Sequence, residues 1–125
     1  MSEVLIYNLT PERDAKLKML CRKFGIGSRS VDKSEYGYSL GYLLGITEDD
    51  AVKDGEDFDE EMLYIAGIRG GMLNLFIDQL RRQKLIIPLK AIQTDTNVGF
   101  TSRELYRELS AEREAIAKGR TQHQG

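Results

Sequence analysis

At 125 residues, with 41% hydrophobic and 30% charged side chains, the chain has the length and balance of one globular domain, which excludes two ordinary cores and excludes extensive disorder. Net charge is only -2, yet residues 48–61 hold nine acidic residues and one lysine, a local balance of -8 that leaves +6 on the rest. Those cations are dispersed through amphipathic segments and there is no tryptophan, which argues against a nucleic-acid partner. No apolar run approaches the roughly 20 residues that a membrane span needs.

Val4 to Leu9 is an almost continuously apolar run of the kind a strand covered on both faces requires. Thr10 and Pro11 then supply an N-cap oxygen and a proline at the first helical position, where its missing N–H costs nothing. The spacing of Leu17, Leu20, Cys21 and Phe24 at i, i+3, i+4 and i+7 predicts a helix up to about Phe24, with Gly25 as its left-handed stop. A lone cysteine on that apolar stripe forms no intrachain disulfide and suits a reduced, cytoplasmic setting. The N-terminus has no basic export signature, so no leader is expected.

Ile26 to Val31 reads as a polar edge strand, and the stretch from Tyr36 to Ile46 as a short helix weakened by Gly41 and Gly45. Residues 47–61 predict a solvated acidic loop that like charges keep extended. Met62 to Ile68 is the second continuously apolar strand, and Arg69, Gly70 and Gly71 lead into a helix whose apolar face is Met72, Leu73, Phe76, Ile77 and Leu80. Leu85 to Gln93 is a strand placed at the sheet edge by Pro88, which cannot donate to a ladder. Thr101 and Glu104 have the spacing of a capping box for a last helix, with a disordered tail expected at 119–125. No internal repeat is evident.

The alternation of strands and helices predicts an α/β domain over 1–118, with a four-stranded parallel sheet of order 2-1-3-4 and helices on both faces. A ferredoxin-like α+β sheet of order 4-1-3-2 is the alternative. In a doubly wound sheet, ligands sit beyond the carboxyl ends of the strands. The expected ligand-binding set is therefore Asn8, Thr10, Gly67, Arg69, Gly70, Lys90, Thr94, Thr96 and Asn97, with an arginine and helix-start amides suited to an anion. The bland alternatives are a tight strand-to-helix turn at Gly67 to Gly71, an edge lysine at Lys90 and a self-bonded Asx turn at Thr94 to Asn97.

Other chemistries find no support in the residues. The third strand ends at Gly67 and Ile68 without an aspartate to accept a phosphoryl group, which excludes a response-regulator receiver. His123 lacks neighbours of metal-ligand spacing, and Asp50, Asp54, Gly55 and Glu61 match a calcium loop except that Val52 stands at a ligand position. No metal and no cofactor is expected. Tyr36, Tyr38 and Tyr42 are expected to pack over the sheet.

The run Glu60, Glu61, Met62 and Leu63, a strand ending near Gly67, the helix from Met72 to Leu80, Pro88 to Ala91, and Thr94, Thr96 and Asn97 together resemble a small bacterial family known only as a domain of unknown function. Tyr7, Asn8 and Gly41 to Leu43 extend that similarity over most of the chain, whereas Gly70 and Gly71 depart from its pattern. The resemblance implies no activity. The resulting expectation is a non-catalytic binding or regulatory module for a small anionic ligand or a protein partner. A structural, homo-oligomeric protein is the alternative, followed by an enzyme acting on a phosphorylated small molecule through Lys90, Arg69 and Thr94.

Overall fold

The two apolar runs lie side by side at the centre of one four-stranded sheet in the computed structural model, which describes residues 2–48 and 51–123. Strand β1 is Glu3–Tyr7, β2 Gly27–Ser30, β3 Met62–Ala66 and β4 Leu89–Ile92, in the order β2-β1-β3-β4. Helices α1 (Pro11–Lys23), α3 (Gly70–Arg82) and α4 (Ser102–His123) flank it, with a single-turn α2 at Leu40–Leu43. The strand order is the one expected, but the sheet is mixed. The β1–β2 and β3–β4 pairs are parallel, whereas β1 and β3 run antiparallel with Leu5 opposite Tyr64 and Tyr7 opposite Met62.

The link between β2 and β3 explains the direction. A parallel β3 would need a crossover returning the chain to the other end of the sheet, and crossovers are usually helices matching the strands in length. The only α-helix in this link among the described residues is α2, four residues or about 6 Å long at 1.5 Å per residue. The segment therefore stays on one face and re-enters the sheet at the end it left.

Both faces are covered. Val4, Ile6, Leu63 and Ile65 pack against Leu17, Leu20, Cys21, Phe76 and Leu80 of α1 and α3. Leu5, Tyr7, Met62 and Tyr64 pack on the other side against Tyr36, α2, Phe58 and Leu105 of α4. The capping box forms: Thr101 N–H donates to the Glu104 carboxylate at 2.9 Å, and Glu104 N–H to the Thr101 hydroxyl at 3.1 Å. Helix α4 takes up the first part of the expected tail and continues to His123, while 124 and 125 lie outside the described residues.

The two β-α units repeat with an offset of 59 residues. Asn8 and Gly67, after β1 and β3, both have positive φ (64° and 75°), as do Gly25 and Lys84 after α1 and α3 (68° and 60°). Each helix is 13 residues long and closes with the same bond, Ile26 N–H to Cys21 O and Leu85 N–H to Leu80 O, both 2.8 Å. Because Leu5 and Tyr64 are themselves equivalent and directly paired, a pseudo-twofold axis passes between them, normal to the sheet. The sequence conceals this repeat.

The acidic segment is irregular and exposed over 51–57, as expected of a loop, but it is pinned to the body. Arg103 forks onto Asp57 at 2.7 and 3.1 Å and onto Lys53 O at 2.9 Å, Arg113 onto Glu60, Arg13 onto Glu61, and Lys33 pairs with Asp59. Phe58 anchors it, buried against the rings of Tyr106 (4.4 Å), Tyr36 (4.7 Å) and Tyr7 (5.8 Å). Four of the nine like charges, Asp57, Asp59, Glu60 and Glu61, are thus paired with cations drawn from three other elements. Asp49 and Asp50 of this loop lie outside the described residues.

Candidate functional site

The antiparallel centre divides eight of the nine expected ligand residues between opposite ends of the sheet, with Lys90 lying within β4. Asn8 and Thr10 follow the carboxyl end of β1, which lies beside the start of β3. Gly67, Arg69, Gly70, Thr94, Thr96 and Asn97 follow the carboxyl ends of β3 and β4, beside the start of β1. One crevice uniting Asn8 with Gly67 and Thr94 is excluded by this geometry, because the reversal of winding expected for a parallel sheet is absent.

Most of the polar side chains in the set are engaged with backbone. The Asn8 amide donates to Phe58 O at 2.9 Å and Glu60 O at 3.1 Å and accepts from the Tyr36 hydroxyl at 2.9 Å, so it ties the acidic segment to β1. Thr10 caps α1 by accepting from Arg13 N–H at 3.4 Å. Asn97 accepts from Thr94 N–H at 2.8 Å and from the Tyr64 hydroxyl at 2.6 Å, and donates to Ile92 O at 3.0 Å. Thr94 in return accepts from Asn97 N–H at 3.0 Å. The bland alternative of a self-bonded turn accounts for both residues. Thr96 is exposed at the start of the following 3-10 turn and caps nothing with its side chain.

Lys90 sits on β4 at the outside of the sheet, its ammonium donating to Ile87 O at 2.8 Å. Partial burial, and then the neighbouring Arg81 charge, hold its pKa below the ordinary lysine value. Arg69 is different. It is the N-cap residue of α3 without a side-chain capping bond, is exposed, and pairs with no described residue. With Gly67, Ile68, Ile92, Thr94 and Asp95 it lines a cleft of about 120 Å³.

The pseudo-twofold exposes what sequence patterning missed on the outer surface of α1 and α3. On α1, Arg13 donates to Lys84 O and Ile86 O at 3.3 and 3.1 Å, and Lys16 donates to Gln83 O at 2.5 Å, stitching that helix to the end of α3. The equivalent positions on α3 are Met72 and Leu75, which are 49% and 54% exposed. Symmetry turns them toward Phe24 and Gly25 at the end of α1, and the edge-on contact of Phe24 with Phe76 at 5.7 Å brings the same two elements together. Met72 and Leu75 cannot donate, so among the described residues no such bonds tie α3 to the end of α1, and both apolar side chains stay half exposed. The two helices carry seven basic and three acidic residues, and Arg22 and Lys23 in the last turn of α1 pair with no described residue.

Burial alone raises the Cys21 thiol pKa to about 11, which keeps it an uncharged core group. A cleft of about 420 Å³ between the acidic segment and α4 is lined by both signs of charge, including Asp57, Arg103, Glu104 and Arg107. Among the described residues no group of three or more His, Cys, Asp or Glu side chains is placed to hold a metal, and Glu61 of the calcium-loop pattern is bonded to Arg13. No described helix is long and apolar enough to cross a membrane. No curated protein and no solved structure matches the chain at significance. The residues from Glu60 onward, with their apolar strand, Leu/Phe helix and Pro88 to Asn97 turn, bear out the resemblance drawn from sequence: residues 61–116 match the family model described as a domain of unknown function, DUF3783.

Proposed function

We propose that this chain is a non-catalytic binding module of the cytoplasm whose working surface is the outer face of α1 and α3, and whose ligand is an acidic protein segment bearing apolar anchors. The observation that carries it is the exposed pair Met72 and Leu75 at positions where the symmetry-related helix has Arg13 and Lys16, with Arg22 and Lys23 at the end of α1 and Arg69 at the start of α3, none of which pairs with a described residue. Exposed apolar side chains on helices that carry cations fit carboxylates around a hydrophobic anchor, and methionine adapts to varied side chains. The non-catalytic character is supported by Asn8, Thr94, Asn97 and Lys90, whose polar groups are already committed to backbone. A small anion beside Arg69 at the start of α3 is the narrower form of the same function.

Titration of a fluorescent peptide alternating glutamate with leucine tests this. Saturable binding that weakens with salt, and at least tenfold in both Leu75→Glu and the double variant Arg22→Ala, Lys23→Ala, is the expected result. Equal affinity in all three proteins would remove this helix face as the site. Stabilisation by inorganic phosphate alone, lost in Arg69→Ala, would favour the small-anion form. A structural, oligomeric role is the second function, favoured by exposed Ile92 and Ile116 beside β4.

A further inference from the structure

The sheet ends on β4 with backbone that nothing in the described structure pairs. Leu63 lies opposite Lys90 and Ile65 opposite Ile92, and Gln93 N–H donates to Ile65 O at 2.9 Å, so Leu89, Ala91 and Gln93 face β3. The N–H and C=O of Lys90 and the N–H of Ile92 therefore point out of the sheet, while Ile92 C=O takes the Asn97 amide at 3.0 Å. Alongside runs a cleft of about 370 Å³ between β4 and α4, lined by Pro88, Leu89 and Ile116 and by the charged Lys90, Glu112 and Arg113. Ile92 is 47% and Ile116 57% exposed. The opposite edge is furnished differently: β2 is Gly27–Ser30, where Arg29 reaches Leu43 O and Glu35, and Ser30 reaches Asp14.

Outward amides and carbonyls fit an extended chain, and exposed edges are managed by covering or pairing. The edge is complementary to itself. Two copies of β4 set antiparallel about a twofold axis at Ala91 bring Lys90 of each opposite Ile92 of the other in two symmetric pairs; in each, Ile92 N–H meets the free Lys90 C=O, while Lys90 N–H meets the Ile92 C=O that Asn97 also uses. Moving the axis by one residue in either direction, to keep the outward groups paired, sets Lys90 against Lys90 or Ile92 against Ile92. The first costs like-charge repulsion, and the second rests both bonds of its central pair on Ile92 C=O, already taken by Asn97, whereas the Ala91 register keeps one bond of each pair on the free Lys90 C=O. With the axis at Ala91, small side chains meet on the α4 face and the lysine stems lie on isoleucine.

We propose that β4 is a homodimer interface, joining two copies through an eight-stranded continuous sheet with Ala91 on the twofold. It stands on the strand edge and is independent of the outer face of α1 and α3. In that register the two Ala91 residues form a non-hydrogen-bonded pair, with Cα atoms roughly 4.5 Å apart, within reach of a disulfide. Full-length Ala91→Cys is therefore expected to cross-link under mild oxidation into a covalent dimer. Ile92→Cys, a residue off the axis, is expected not to.

Light scattering after size exclusion, at tens of micromolar protein, is expected to give twice the 14.2 kDa chain mass for the wild type and the single-chain mass for Ile92→Lys, which sets lysine against lysine. Lys90→Pro removes an N–H that points out of the sheet, so it is expected to give a folded monomer as well. Circular dichroism checks folding, and if Lys90→Pro does not fold, Ile92→Lys and the cross-linking pair still decide. A monomeric wild type, a dimer that survives Ile92→Lys, or cross-linking stronger through Ile92→Cys than through Ala91→Cys overturns the proposal. Association that appears only with an added extended peptide also overturns it, in favour of a foreign strand on the same edge.

Discussion

Asn97 concentrates three bonds on one side chain, and its partners differ in what they lose without it. Thr94 N–H is exposed and can turn to water, whereas the Tyr64 hydroxyl belongs to a fully buried residue. Truncation to alanine leaves that hydroxyl without an acceptor and releases Ile92 O, so Asn97→Ala is expected to lower the unfolding free energy by about 2–3 kcal/mol. Thr94→Ala, which removes one exposed acceptor, is expected to cost less than about 1 kcal/mol. In Tyr64→Phe the stranded hydroxyl is gone, so adding Asn97→Ala there costs less than in the wild type; urea midpoints of the four proteins give the coupling. Strict additivity would show that the turn is held by something else. At this scale the sequence was legible as a choice. Thr94 to Asn97 permitted a ligand site or a self-bonded turn, and the deciding partner, Tyr64, is 33 residues away from Asn97.

Among the elements, the acidic segment departs furthest from its sequence pattern, because its neutralising cations lie on distant α1, α4 and the turn at Lys33–Glu35. Local composition registers the like charges and misses their partners. Two contacts make the docking testable. A Cβ on Gly37 would come within 2.5 Å of Lys53 O and 2.7 Å of Val52, and Lys53 N–H donates to Gly37 O at 3.0 Å. Gly37→Ala is therefore expected to push residues 52–57 off the body, at a cost of about 1–3 kcal/mol, with faster amide exchange confined to that stretch. Phe58→Ala empties a site ringed by three tyrosines and is expected to cost about 3–5 kcal/mol. Unchanged exchange in Gly37→Ala would mean the segment does not lie on Gly37 in solution. Sequence was a better guide to the sheet order, since apolar content alone separates β1 and β3 from the edges. It was silent on direction, because a strand covered on both faces looks the same whichever way it runs.

Over the whole molecule, the 59-residue repeat was invisible for a related reason: between residues 4–27 and their counterparts only Ile6 with Ile65 and Arg22 with Arg81 are identical. What the halves share is backbone, a left-handed residue after each strand and each helix, built from Asn8 and Gly25 in one unit and Gly67 and Lys84 in the other. The asymmetry lies in what covers the far face, where Tyr7, Tyr36 and Tyr64 are buried with α4 and Phe58. Burial pushes all three phenol pKa values up, Tyr36 to about 12 and the other two higher, with the Ser102 hydrogen bond opposing the rise at Tyr7 and the Asn8 bond at Tyr36. Burial moves Cys21 up to about 11 on the other face. A group whose pKa is higher folded than unfolded holds its proton more tightly in the folded state. Its contribution is complete below the unfolded pKa, about 8.5 for the thiol and 10 for the phenols, and is lost as pH rises toward the folded value. The urea-unfolding free energy is therefore expected to be level up to about pH 8.5 with respect to these groups, to decline gently while only Cys21 contributes, and to steepen above pH 10. Each group adds up to about 1.4 kcal/mol per pH unit. Tyr7→Phe is expected to flatten the steep limb, and phenolate absorbance from the buried rings is expected to rise together with unfolding. A stability that stays level through pH 11, or phenolate signal from those rings well ahead of unfolding, would place the three tyrosines in contact with water.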